Sequence, residues 1–287
     1  MLMSFSDALS YPFKGENVPK VLTIILVFLL IVAVVVVGGL MMNATGLMLL
    51  AIPIVLAYSV FVGGYSVEVI HSVMLGHEIM PPTEIGRDIG RGIMTILASI
   101  AHMIPLIVFY ICAIFIFGAS FANSISVDSY GYPDLSRAGD SVMMMCGLGL
   151  AALILGFLLG YTYLVGLVRY AVEGSAGALF DIGSNFATVL ANMGAVFGLL
   201  IRQIGIGIIY GILMGIVNMI FTGVVNDAFY RPNPDIGIMI GLIIYGIGYL
   251  SLTLMNQISS SHLIAGFGAE VGISARKSKH DGYDFNS

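Results

Sequence analysis

The sequence predicts an all-α fold: a polytopic membrane protein with about six transmembrane helices in three repeated hairpins, joined by interfacial re-entrant segments. Three observations carry this expectation. The 287-residue chain is 59% hydrophobic and only 9% charged, with a mean hydropathy of +1.02, a composition that suits a lipid-embedded bundle and no soluble domain. Its apolar runs are long enough to cross about 30 Å of hydrocarbon at about 1.5 Å per residue. A polar, glycine-bearing stretch also recurs behind two of those runs.

The first run, 21–42, exceeds the roughly 7–15-residue apolar core of a cleaved signal and is read as an anchor. The turn NATG at 43–46 reverses the chain, and 47–70 returns, with a bend expected at Pro53 because proline removes a backbone donor. Residues 92–118 and 141–170 supply the third and fourth helices, with the polar ANSISVDSYGYPDLSRAGD as an exposed loop between them. The fifth run, 185–225, is too long for one upright span and carries Arg202 and Gln203 within it. It is therefore divided into an interfacial piece, 185–200, and a span, 204–225. NDAFYRPNPD then turns the chain, and 236–258 crosses back. The organisation is one integral membrane domain, 1–270, with hairpins at about 21–70, 92–170 and 204–258, and a polar tail, 271–287.

Orientation follows the basic residues. Lys14, Lys20, Arg87, Arg91, Arg169, Arg202, Arg276, Lys277 and Lys279 fall on one side, against Arg137 and Arg231 on the other. Both termini are expected to be cytoplasmic, in the inner (cytoplasmic) membrane of the cell. The outer loops carry Asp128, Asp134, Asp140, Asp227 and Asp235. A net charge of -5 with no basic patch excludes nucleic acid as a partner. Two cysteines supply neither a disulfide framework nor a zinc site.

The recurring stretch is YSVEVIHSVMLGHEIMPPTEIG at 65–86, echoed by YLVGLVRYAVEGSAGALFDIG at 163–183. Aligning Tyr65 with Tyr163 brings Gly76 onto Gly174, and one gap brings Gly86 onto Gly183. Each copy reads as a membrane helix that overruns the boundary, stops at glycine, crosses a short loop and returns along the interface. LSYPFKGENVPKVL, before the first span, resembles the returning half alone, giving three copies of one unit. Pro12, Pro19, Pro81 and Pro82 then end helices and set the angle of return.

Taken together, the tyrosine-led helix end, the glycine, the proline-containing loop and the N-terminal AL-YPF segment resemble the uncharacterised prokaryotic membrane family catalogued as domain of unknown function four thousand and thirteen. The resemblance covers most of the chain and departs at SAGALFD, which lacks the proline pair. It implies a multi-pass membrane protein and implies no activity, substrate or catalytic residue.

Features that could carry chemistry are few. Among 36 glycines, Gly156/Gly160, Gly194/Gly198, Gly207/Gly211/Gly215 and Gly237/Gly241 recur at four-residue spacing, which lets helix backbones approach closely. These faces serve either packing within the bundle or a seam with a second copy or partner. Arg202, the one basic group away from a helix end, is expected to snorkel to headgroups with Glu173 or Asp181 as partner. A polar path for a solute would be lined by Asn192, Arg202, Gln203, Asn218, Ser251 and Thr253. Haem or pigment would need His102 or His262, since His71 and His77 do not share a helical face; no cofactor and no metal is predicted.

Cys112 and Cys146 lie at similar predicted depths, where a disulfide is conceivable beside the commoner role of small buried hydrophobes. NQISSSH, 256–262, reads as a helix end in water or the wall of a vestibule. No GxSxG, HExxH, phosphate loop or paired carboxylates occur. The leading expectation is a non-enzymatic scaffold or accessory subunit of a membrane complex or homo-oligomer. A passive channel or transporter for a small solute is the alternative, and a cofactor- or pigment-binding subunit a further one.

Overall fold

The computed structural model describes residues 4–41, 51–124, 126–127, 133–134, 138–230 and 236–274. The expected turn at 43–46, most of the loop between the third and fourth helices, the turn at 231–235 and the tail from 275 onward lie outside the described residues.

Nine helices are described: α1 (Phe5–Ser10), followed by a 3-10 turn (Tyr11–Phe13), α2 (Asn17–Met41), α3 (Ala51–Met74), α4 (Ile85–Ser124), α5 (Ala138–Glu173), α6 (Ala176–Phe180), α7 (Ile182–Ala191), α8 (Met193–Tyr230) and α9 (Ile236–Glu270). Between α4 and α5, the two-residue strands Ser126–Val127 and Pro133–Asp134 pair antiparallel. Six of the helices are long and apolar enough to cross a membrane, as the composition requires.

One detail differs from the sequence reading. The fifth run does not break between residues 200 and 204. It breaks at Asn192, whose φ of -125° and ψ of 36° leave the helix and whose side chain caps it by donating to the Thr188 carbonyl at 2.9 Å. From Met193 the helix then runs unbroken past Arg202 and Gln203. Pro53 lies within α3 (Ala51–Met74), beside residues 42–50, which lie outside the described residues.

Three helices, α3, α5 and α9, pack against one another at the centre, with α2 against α9 and α3, α4 against α3 and α5, and α8 against α9. Most of the buried side chains lie toward one end of this bundle, with Ile238 and the Gly241–Val224 contact as exceptions at the other. Beyond His102 in α4 and beyond Tyr210 in α8, no described side chain is buried. Before Tyr58 in α3, the same holds. The far halves instead show Ile107, Ile111, Phe115, Ile212 and Met219 outward, about half to three-quarters exposed. That is the expected behaviour of apolar helices in lipid, where nothing drives hydrocarbon away from hydrocarbon.

At the packed end each central helix stops on a left-handed glycine: Gly76 (φ 85°), Gly174 (φ 69°) and Gly272 (φ 81°), evenly spaced along the chain. The bonds Gly76 N–H to Val73 O and His77 N–H to Ser72 O close one such cap, and Gly272 to Ala269 and Ile273 to Gly268 close another, both in the Schellman pattern. Gly174 N–H donates to Tyr170 O in the simpler single-bond form.

Candidate functional site

The glycine-capped end concentrates the polar chemistry of the described residues. Three buried residues tie it together: Asn17, Asp88 and Asn185, at 1%, 0% and 0% exposure. Each stands two positions after a glycine, in Gly15-Glu16-Asn17, Gly86-Arg87-Asp88 and Gly183-Ser184-Asn185. Asn17 donates to the carbonyls of Tyr11 (2.8 Å) and Glu78 (3.3 Å) and accepts from the Met80 amide (2.7 Å). It thereby pins the loop that follows Gly76 onto the start of α2. Asp88 accepts from the Glu84 amide at 2.9 Å, closing the first turn of α4. Asn185 donates to Ala178 O at 2.9 Å and accepts from Arg169 at 3.0 Å, fastening α7 to α5.

Charges are spent on the same task. Glu68 of α3 receives both arginines of α4: Arg87 at 3.4 Å and Arg91 in direct contact. Arg87 also reaches Glu84 at 3.3 Å. Tyr65 donates to Pro81 O at 2.9 Å and Lys20 donates to Met80 O. Pro81 and its neighbour Pro82 thus sit in a loop fixed by backbone acceptors, where they hold the chain extended and leave those carbonyls free to accept. In the second stretch, Arg169 joins Glu173, Asp181 and Ser184, while Gly183 and Gly86 are open to solvent. Tyr163 does not copy the Tyr65 contact; its ring meets His102 edge-on at 5.6 Å.

The glycines divide into two sets. A Cβ on Gly64 would lie 1.6 Å from Asp88 O, and one on Gly92 would lie 1.8 Å from Val60 O. The backbones of α3 and α4 therefore touch, which only glycine permits. Gly166 packs on Asn185, Gly241 on Val224, Gly268 on Val168 and Gly156 on Leu106. Gly207, Gly211 and Gly215 are different: each is exposed, and nothing lies within 4 Å of a Cβ built there. Gly160 and Gly194 are likewise open, and Gly198 approaches only Arg202 at 3.8 Å; Gly237 is exposed. Of the four-spaced sets, the triplet on α8 therefore makes no packing contact with the other described residues. Asn218, three residues past Gly215, lies on the same helical face; its carbonyl oxygen accepts from Tyr245 at 2.8 Å.

The six residues expected to line a polar path are distributed over separate seams. Arg202 pairs with Glu270 of α9 at 2.7 Å; it does not reach Glu173 or Asp181, which serve Arg169. Gln203 accepts from Tyr161 at 3.2 Å. Ser251 and Thr253 donate to their own helix, to Ile247 O and Tyr249 O, and Asn192 is spent on its cap.

Among the described residues no cluster of three His, Cys, Asp or Glu side chains could hold a metal. His102 is buried, with Nδ1 at 2.8 Å from Ala98 O, and His262 stacks on Tyr11 with ring centroids 4.8 Å apart. Each touches an aromatic ring instead of the other. Cys112 and Cys146 are both free and exposed, so neither the disulfide nor the buried role applies.

Sequence reasoning missed Asn17, Asp88, Asn185, Gly64 and Gly92. The repeated Gly-x-Asn/Asp triplet at each helix start was the available signal for the first three. For the two glycines no pattern in one helix could serve, because each answers to a backbone in the other. A comparison with protein families finds that the one described as "Protein of unknown function (DUF4013)" matches residues 46–219. No curated protein and no solved structure matches the chain.

Proposed function

The chain belongs to the DUF4013 family, a family of unknown function, and from that premise we propose a non-enzymatic membrane scaffold that associates with copies of itself through the outward face of α8. The observation that carries this reading is the Gly207/Gly211/Gly215 face, exposed with open space above each Cα, while the glycines used for internal packing lie elsewhere. Exposed Ile208, Ile212, Ile216 and Met219 border the stripe and would form the walls against which a second helix seats. A glycine stripe brings two backbones close enough for dispersion and Cα–H···O contacts to replace the absent hydrophobic drive. The Asn218 amide, extending the same face, adds donors that a facing carbonyl would satisfy.

The glycine-capped end faces the cytoplasm in this proposal, because Lys14, Lys20, Arg87, Arg91, Arg169 and Arg202 gather there. The separate seams taken by the polar residues give a solute path no support.

The test is the mass of the protein extracted directly into native-lipid nanodiscs. Gly211→Leu and Gly215→Leu are expected to convert an oligomer to monomer with helicity unchanged. A wild-type protein that is monomeric at membrane concentrations, or an oligomer indifferent to both substitutions, refutes the proposal.

A further inference from the structure

Three short segments cover the glycine-capped end: the loop 77–84 after Gly76, α6 after Gly174, and the 3-10 turn, which packs on α9. Each plants one side chain in the same core: Met80, Leu179 and Tyr11 are buried in a single cluster with Val69, Ile70 and Leu254. Beside each of these anchors the chain turns a large apolar side chain outward, Ile79 at 49%, Phe180 at 41% and Phe13 at 54% exposure. One exposed apolar residue on a polar surface is ordinary. Here one stands on every such segment, and none can turn inward without uprooting the anchor next to it.

What covers these side chains follows from where the lipid-facing surface begins. Exposed apolar residues recur at each turn from Leu22 in α2, from Ile93 in α4 and from Phe197 in α8, which marks the near edge of the hydrocarbon layer. Between that edge and the start of its helix lie only Asn17 to Leu22 in α2 and Met193 to Phe197 in α8, about 6–8 Å at 1.5 Å per residue. One headgroup region is about as deep. Phe13 stands just before α2, and Ile79 lies between Glu78 and Met80, both of which Asn17 holds. Phe180 lies between Ala178, bonded to Asn185 of α7, and Asp181, which caps α7; α7 in turn runs directly into α8. We propose that Phe13, Ile79 and Phe180 form a three-point lipid contact, entering the boundary between headgroups and acyl chains and setting the depth of the glycine-capped end.

Apolar insertion, not charge, supplies this contact. The basic side chains nearby are engaged within the chain: Arg87 and Arg91 on Glu68, Arg169 on Glu173 and Asp181, Arg202 on Glu270, and Lys20 on the Met80 carbonyl. Headgroup phosphates would have to displace carboxylates already in place. The contact therefore forms in neutral lipid as in anionic lipid. It depends neither on self-association through α8 nor on which leaflet this end meets.

Because the chain contains no Trp, the full-length variants Phe13→Trp, Ile79→Trp and Phe180→Trp each report one position by fluorescence in phosphatidylcholine nanodiscs. Lipids brominated near the top of the acyl chain are expected to quench all three about twofold more than lipids brominated near its end, and dissolved iodide is expected to reach them poorly. A second set reads the depth of the end as a whole: Ala187→Trp, on the exposed side of α7, is compared with and without Phe13→Ser/Ile79→Ser/Phe180→Ser. With all three sites at the surface, helicity should hold, while bromine quenching of the Ala187→Trp fluorescence falls by about half. Three results overturn the proposal: iodide quenching without bromine quenching at any of the three positions, which would give that face to a soluble partner; bromine quenching that appears only when anionic lipid is added; or Ala187→Trp fluorescence indifferent to the triple substitution.

Discussion

Replacing Gly92 by alanine tests the backbone contact between α3 and α4. The new methyl would sit 1.8 Å from Val60 O and 2.7 Å from its carbonyl carbon. Restoring an ordinary separation requires α3 to retreat by about 1.5 Å. No side chain can rotate aside, since the obstacle is main chain. The retreat also strains the Arg91–Glu68 pair, which joins the two helices, and the Tyr65–Pro81 bond, which ties α3 to the loop between them. Overpacking of a rigid site costs about 3 kcal/mol, offset by roughly 1 kcal/mol of better helix propensity. The net loss of about 2 kcal/mol corresponds to a fall in Tm of about 4–8 °C. With no Trp in the chain, far-ultraviolet circular dichroism in mild detergent is the suitable readout. Gly90→Ala is the matched control on the same helix, because nothing lies within 4 Å of its Cβ; its Tm should hold or rise. A Gly92→Ala protein that melts at or above the wild-type temperature would show that these helices are not in backbone contact.

Two further outcomes follow from the packed end. Asn17→Ala removes three hydrogen bonds and strands the Met80 amide, a loss of about 2–3 kcal/mol. It should lower Tm and speed protease cleavage within residues 77–84, and a protein with both properties unchanged would remove Asn17 from its role. For Arg202, a double-mutant cycle of Arg202→Met with Glu270→Gln should give a coupling of about 1 kcal/mol, as suits a part-buried pair 2.7 Å apart. The same cycle with Glu173→Gln should give none, and the reverse result would restore the partner expected from sequence.

The parts of the fold legible in the sequence were those written in local order. Six apolar runs and their hairpin pairing follow from length and hydropathy, because a backbone in hydrocarbon must satisfy itself by forming helices. Gly76 and Gly174 were legible as stops for the same reason: a left-handed residue is a local demand that glycine meets. Even the break in the fifth run had a local cause, a capping asparagine at 192, though the charge at Arg202 drew attention eight residues further on.

Spacing along one helix could identify small faces without saying what meets them. Gly64 and Gly92 carry the closest approach in the molecule's described glycines, whereas the conspicuous triplet at Gly207, Gly211 and Gly215 has no described atom within 4 Å of a Cβ built there. Likewise, Arg202 chose Glu270 across 68 residues of sequence, and His262 found Tyr11 from the opposite end of the chain. The sequence by itself determined the membrane-spanning helical class, the number of spans and the glycine stops, since each depends on residues within a few turns of one another. Only the tertiary structure decided which glycines are buried, which charges pair and what seats the end of α9. Those outcomes depend on where three hairpins converge, and a one-dimensional pattern does not record that convergence.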